Sequence, residues 1–259
     1  MVNNTPLLEM RGMSKSFGSV KAVVNVDLML SRGEILGLVG DNAAGKSTLM
    51  KMLTAVHKPD EGEIFIEGEP VKIDSPRKAR ELGIEMIYQD FSLAPNLNIT
   101  ENIFLGREIK RSFMGFPVLN RKKMNQLAEE ALRGSLIRID SVQSIVTDLS
   151  GGQQQGVAIA RAIAFDAKII IMDEPTASLS IKAISPLLER MKQLRDQGIS
   201  MIFITHRIQD IFSTCDRVMV LRRGSSVCDT AIENTSVEEI FSLITGRHEG
   251  CGQPTNNFD

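Results

Sequence analysis

Residues Gly40, Asp41, Asn42, Ala43, Ala44, Gly45, Lys46 and Ser47 fit the spacing G-x-x-x-x-G-K-S, and Thr48 follows. This is the pattern of a loop whose backbone N–H groups converge on phosphate oxygens, assisted by the partial positive charge of the next helix. Glycine lets the backbone approach, Lys46 would reach the β- and γ-phosphates, the Ser47 hydroxyl would ligate Mg²⁺, and Thr48 is placed for the α-phosphate. A chance glycine-rich turn is the plain alternative, so a second element is needed. K-I-I-I-M-D-E-P (168–175) supplies it, because an apolar strand ending in two adjacent carboxylates suits a cation and a reactive water. Asp173 would bind the metal through water, and Glu174 would polarise the attacking water as general base. Alone, the same carboxylates ahead of Pro175 would serve as a helix start. Paired with the loop at Gly40, a nucleotide site is the better reading. A third stretch, D-L-S-G-G-Q-Q-Q-G (148–156), sets Ser150, Gly151, Gly152 and Gln153 ahead of a helical pattern. It forms a second helix N-terminus suited to an anion, or else an ordinary serine cap with a flexible glycine pair.

These residues need a frame. E-I-L-G-L-V-G (34–40) followed by K-S-T-L-M-K-M-L-T-A-V (46–56) predicts strand, loop, helix. Residues 7–17, 24–30 and 63–68 alternate as an antiparallel sheet would, and 84–89 is a further strand. Strands at 168–173, 200–205 and 217–222 with helical patterns between them predict a parallel sheet with crossover helices. From Asp90 to about Ile163 the pattern is mainly helical, with R-K-K-M-N-Q-L-A-E-E-A-L (121–132) its clearest amphipathic piece. Ser236 and Glu239 predict a capping box on a last short helix. The expected fold class is α/β, a parallel P-loop NTPase-type sheet with an antiparallel β subdomain and an inserted helical subdomain. The expected division is 1–89 and 164–247 for the ATP-binding core, 90–163 for the helical unit, and 248–259 for a frayed tail.

Composition narrows the class. With 30 basic and 32 acidic side chains among 259 residues, no charge excess advertises nucleic acid or an anionic membrane surface. The three cysteines, Cys215, Cys228 and Cys251, lack metal-ligand spacing and are odd in number, which argues against structural disulfides and zinc and for a reducing cytoplasm. No run nears the roughly 20 apolar residues of a spanning helix, so membrane association is expected through a partner.

L-S-G-G-Q ahead of I-I-I-M-D-E resembles the signature pair of ABC-transporter ATPases, over about Leu8 to Gly246. Within that family the chain is most similar to ATP-binding subunits of bacterial monosaccharide importers. The carrying segments are S-K-S-F-G-S-V-K-A-V (14–23), S-T-L-M-K-M-L-T (47–54), Y-Q-D-F-S-L-A-P-N-L-N-I-T-E-N-I-F-L-G-R-E (88–108) and L-S-G-G-Q-Q-Q (149–155). The resemblance implies ATP and Mg²⁺ as cofactors. It implies that Phe17 stacks on adenine, although a core aromatic is the other reading, that Gln89 touches Mg²⁺ or the lytic water, and that His206 contacts the γ-phosphate. It further implies a second ATPase subunit, most simply in a homodimer whose signature helices each face the other's loop. Membrane permease subunits and, indirectly, a periplasmic sugar-binding protein follow, with the chain peripheral on the cytoplasmic face. The segment F-S-L-A-P-N-L-N-I (91–99) is expected to receive a permease helix through Leu93 and Leu97. A soluble ATPase acting on nucleic acid or ribosomes is the alternative, as is a non-hydrolytic regulatory subunit.

Two positions depart from the family pattern. Ala43 stands where glycine is usual, and at φ > 0 its Cβ would cost about 1–2 kcal/mol, so Ala43→Gly is expected to tighten ATP binding. Ser180 ends A-S-L-S (177–180), where many ABC ATPases carry an aspartate that helps couple the two sites.

Overall fold

The computed structural model describes residues 5–177, 179–248 and 250–251. In chain order the elements begin with β1 (Leu8–Phe17), β2 (Val20–Leu30), β3 (Ile35–Val39), α1 (Lys46–Leu53), β4 (Glu61–Ile66), β5 (Glu69–Val71), α2 (Pro76–Glu81) and β6 (Ile84–Ile87). They continue through α3 (Ile99–Phe104), β7 (Lys110–Phe113), β8 (Phe116–Leu119), α4 (Arg121–Gly134), α5 (Gly151–Ile163) and β9 (Ile169–Asp173). Then follow α6 (Ile181–Asp196), β10 (Ser200–Ile204), α7 (Ile208–Thr214), β11 (Arg217–Arg222), β12 (Ser225–Ala231) and α8 (Val237–Thr245).

The central sheet has the order β12-β11-β3-β10-β9-β6 and is parallel except for β12 at its edge. Its inner strands are apolar throughout because both faces are covered, and side chains alternate between the two cores. On one face Leu36, Leu38, Ile169, Ile171, Ile202 and Ile204 pack with α1 and the antiparallel sheet β2-β1-β4-β5. On the other, Ile35, Val39, Ile170, Met172, Met201 and Phe203 pack against α5, α6, α7 and α8. Each such fully buried chain contributes about 1.5–3 kcal/mol relative to exposure. Gly37 faces α7, where a Cβ would come within 2.8 Å of Ile211, so the helix can lie on the sheet only over glycine.

A third core joins α3, α4 and α5 around Ile103, Phe104, Ala128, Leu132 and Val157. Helix α5 belongs to two cores, with Ala158, Ile159 and Ala162 turned to the central sheet. The region expected to be mainly helical also carries an antiparallel hairpin, β7–β8, whose two four-residue strands, one cationic and one apolar, give no alternating apolar signal. Strands β5 and β12 were likewise not anticipated, being short or polar and lying at sheet edges. At α8 the Ser236 hydroxyl accepts the N–H of Glu239 as expected, while the Glu239 carboxylate accepts from the Thr235 hydroxyl. No helix among the described residues is long and apolar enough to cross a membrane.

The expectation against disulfides is overturned: Cys228 and Cys251 are joined, and Cys215 is free and buried. After α8 the Arg222 guanidinium donates to the carbonyls of Leu243 and His248 and so turns the chain back over β12. A sequence separation of 23 residues says nothing of that return. Of the expected tail, residues 249 and 252–259 lie outside the described residues, as does residue 178.

Candidate nucleotide site

The candidate residues lie at the carboxyl ends of four neighbouring parallel strands, the place where open α/β sheets bind ligands. The loop 40–48 follows β3, His206 follows β10, Asp173 and Glu174 end β9, and Gln89 follows β6. The loop is shaped by backbone on either side. A Cβ at Gly40 would lie 2.1 Å from the Leu221 carbonyl, and one at Gly45 would lie 2.5 Å from that of Ala22. Gly45 is the N-cap of α1 at φ 103, no side chain caps that helix end, and its first turn carries no acid. Its leading N–H groups are the orphan donors that an anion satisfies. Asp41, Asn42 and Ala43 are exposed, Ala44 and Lys46 are buried, Ser47 is exposed and Thr48 is half-buried. The Ala44 N–H donates to the Asp41 carbonyl, and the Lys46 Nζ donates to the carbonyls of Gly40 at 2.6 Å and Asp41 at 2.9 Å.

The charges are interdependent. Burial lowers the Lys46 pKa, and the carboxylates of Glu174, Asp173 and Asp41 oppose that shift. Burial and the neighbouring Glu174 raise the Asp173 pKa, against the pull of Lys46, Lys51 and His206. Asp173 pairs in register with Ile204, so β9 and β10 end side by side, and the Glu174 N–H donates to the Ile204 carbonyl. That alignment carries the Glu174 Oε1 to 2.5 Å from the His206 Nε2. Glu174 holds φ 52, a left-handed conformation of the kind that collects at functional sites.

Two residues of α5 that the sequence reading missed brace this arrangement. Gln155, 1% exposed, donates from Nε2 to the Pro175 carbonyl, next to Glu174, while its Oε1 is buried without a hydrogen-bond partner. Arg161 donates to the carbonyls of Phe91 and Ser92, both at positive φ just beyond Gln89. An arginine inside the apolar run V-A-I-A-R-A-I was the available signal, since a buried guanidinium needs acceptors. Burial depresses the Arg161 pKa accordingly.

The remaining candidates divide. Phe17, at the end of β1, is 44% exposed and meets His57 edge-on, which sets aside the core-aromatic reading. Gln89 is exposed. Ser150 and Gln153 form a complete capping box on α5, each side chain accepting the other's backbone N–H. Among the described residues no hydrogen bond or ion pair joins Ser150, Gly151, Gly152 or Gln153 to the loop 40–48. Ser180 is the N-cap of α6 without a side-chain cap bond. Leu93 and Leu97, expected to receive a permease helix, are both half-buried, and Leu93 packs against two cores at once. The buried Asn102 fixes their loop, donating to the carbonyls of Ala94, Leu97 and Asn98 and accepting the Ala94 N–H.

The donor set fits a phosphate ligand with a hard cation. Oxygen donors alone, the Ser47 hydroxyl and the Asp173 carboxylate, stand beside the uncapped helix end. No cluster of three or more His, Cys, Asp or Glu suited to a metal occurs among the described residues. A Mg²⁺ ion would therefore take most of its ligands from phosphate and water, its usual habit.

The family profile described as "ABC transporter" matches residues 23–177. A xylose/arabinose import ATP-binding protein of Sulfolobus acidocaldarius is 46% identical over 239 residues, covering 92% of this chain and 94% of its own. A fructose import ATP-binding protein of Rhizobium meliloti is 41% identical, covering 94% and 95%. A ribose import ATP-binding protein of Caldanaerobacter subterraneus is 43% identical over 93% of this chain, which spans only 48% of that relative's length. Among solved structures, an ATP-binding cassette of an ABC transporter in its ADP conformation superposes with a TM-score of 0.77 at 24% identity, covering 93% of this chain and 95% of that one. A dimeric cassette in a post-hydrolysis state with ADP and Pi gives a TM-score of 0.72 at 27% identity, covering 87% and 98%.

Proposed function

This chain belongs to the ABC transporter family of ATP-binding proteins, and from that membership we propose that it is the ATP-hydrolysing subunit of a monosaccharide importer. The import names of its relatives support the solute class. The observation that carries hydrolysis is the Glu174–His206 contact at 2.5 Å, beside an uncapped helix end with a lysine and a second carboxylate.

Each residue then has a task. The N–H groups of the loop 40–48 and the Lys46 ammonium hold the phosphates, Lys46 exchanging its own loop carbonyls for phosphate oxygens. Glu174 takes the proton of the attacking water, and His206 orients that carboxylate while facing the γ-phosphate. Gln89 touches the same water, and the exposed face of Phe17 stacks on the base. Mg²⁺, held by Ser47 and through water by Asp173, would neutralise charge on the phosphates when bound. The capping box at Ser150 faces outward, which suits closure of the site by a second copy. The core at 1–89 and 164–247 and the helical unit at 90–163 are the bodies that would move as the dimer closes. The partners proposed are thus a second copy, a permease engaged near the exposed Pro95 and Asn96, and indirectly a periplasmic sugar-binding protein. The working position is the cytoplasmic face of the membrane.

Glu174→Gln tests the chemistry. The variant should bind ATP, hydrolyse it at least roughly a hundredfold more slowly, and accumulate as an ATP-bound dimer. Unchanged turnover in a clean preparation would remove Glu174 as the base.

A further inference from the structure

The hairpin β7–β8 is not accounted for by the nucleotide site. Its tip is a two-residue turn of Met114 at φ 49 and Gly115 at φ 83, the primed geometry that favours Asn-Gly. Methionine there is strained and 85% exposed. Phe113 and Phe116, directly paired across the turn, are 56% and 72% exposed. Three large apolar chains are thus held in water at the end of a projecting ribbon, an arrangement that marks a contact surface.

The charges around them are of one sign. Lys110 and Arg111 lie on β7, residues 121–123 (R-K-K) open α4, and no acidic residue occurs between Glu108 and Glu129. The Glu108 carboxylate is engaged by the Gly106 N–H and feels Lys110. None of the five cations enters a salt bridge within the described residues. The first turn of α4 has no acid, although that end of a helix favours negative charge. Asn120 caps α4 by accepting the Lys123 N–H, yet no acid balances the cations gathered there, which leaves a face complementary to an extended anionic surface.

We propose that the β7–β8 hairpin and the start of α4 bind the anionic surface of a lipid bilayer, with Phe113, Met114 and Phe116 entering the headgroup region and the cations lying on the headgroups. Aromatic and methionine side chains suit that interfacial depth, and clustered Lys and Arg add headgroup attraction that falls with salt. This revises the expectation drawn from the chain's near-neutral overall charge: the balance is neutral, its distribution is not. The placement deepens the peripheral membrane position proposed above but does not rest on the transported solute or on a permease.

The test uses the full chain with permease-free vesicles, sedimented and assayed for bound protein. Vesicles of phosphatidylcholine with phosphatidylserine should bind the chain at least about tenfold better than phosphatidylcholine alone, and high salt should release it. Two variants, F113S/M114S/F116S and K110E/R111E, should each lose about tenfold of that binding while keeping their melting temperature and ATP affinity. Absence of wild-type binding to anionic vesicles, or equal binding by folded variants, overturns the proposal. Binding that appears only when permease is reconstituted also overturns it, by making the hairpin a protein contact. Loss of ATP hydrolysis with vesicle binding intact would instead count against the reading of the nucleotide site.

Discussion

The chain builds two glycine-rich turns into helix N-termini, and it finishes them oppositely. At α1 the cap is Gly45, no side chain closes the helix end, Ala43 and Gly40 sit at positive φ, and Lys46 is folded onto its own loop's carbonyls. At α5 the Ser150–Gln153 box is closed by side chains, which accept the N–H groups of both Ser150 and Gln153, and the backbone leading into it is extended. One end is left strained and short of partners; the other is locally at rest. The difference separates a site that a ligand must cap from a surface that carries its own side-chain cap and is turned outward. A nucleotide would gain its main binding at α1, and α5 would add specificity only when presented by another copy.

The largest effect that can break this comparison comes from mixing two variants. Lys46→Ala removes the loop's cation and should lower hydrolysis by about 10²–10³-fold, as loss of one preorganised charge donor does. Ser150→Arg blocks the outward surface and should be comparably inactive, yet bind ATP as a monomer. Mixed in equal amounts, half the dimers would hold one intact composite site, so activity should return to roughly a quarter of wild type. Hydrolysis by Ser150→Arg alone at the wild-type rate, or no recovery on mixing, would show that α5 does not complete the partner's loop.

A middle-sized effect sharpens the idea that the α1 side is held under electrostatic strain. The Asp173 carboxyl is raised above its ordinary range by burial and by Glu174, so its ionised form costs the fold. A group with a raised folded pKa contributes stability fully at pH below its unfolded value and loses it as pH rises through the folded value. Asp173→Asn should therefore melt higher than wild type at neutral pH, by roughly 2–4 °C for each kcal/mol relieved. The gap should shrink to nothing once the medium is acidic enough to protonate Asp173 in both states. An Asn variant that melts lower at neutral pH would mean that attraction to Lys46 outweighs the burial cost.

Local chemistry explains what was legible in the sequence. The strand–loop–helix at Gly40 is written in contiguous residues that pass from an unbroken apolar run to a helical period of 3.6, so both its elements and its phosphate pattern could be read. The same holds for the buried run ending at Asp173. The Glu174–His206 contact could not be read, because it depends on β9 and β10 being neighbours in register. Leu93 looked exposed beside Pro95, but it packs between two cores that exist only after α5 crosses the sheet. The β7–β8 hairpin escaped notice because its two four-residue strands, one cationic and one apolar, are almost wholly exposed and carry no burial pattern. Cys228 and Cys251 are brought together by the Arg222 turn, which is a tertiary event.

The smallest expected effect concerns Ala43, and it separates strain carried by the loop itself from strain created on binding. Ala43 stands at φ 65 in the chain by itself, so the cost of its methyl, about 1–2 kcal/mol, is borne on folding. That changes the expectation drawn from sequence, which placed the gain of Ala43→Gly in nucleotide affinity. Strain present equally before and after binding cancels from the affinity and remains in the stability. Glycine also enlarges the unfolded ensemble, which takes back about 0.4–1 kcal/mol. The net stabilisation should therefore lie between nothing and about 1.6 kcal/mol, a rise of at most roughly 6 °C in melting temperature, with ATP affinity changed by less than about threefold. Thermal melts and nucleotide titrations of the same preparation measure both terms. A tenfold gain in affinity with an unmoved melting curve would mean that the loop tightens around its ligand, and the α1 end would then be adaptable where the comparison with α5 makes it preformed.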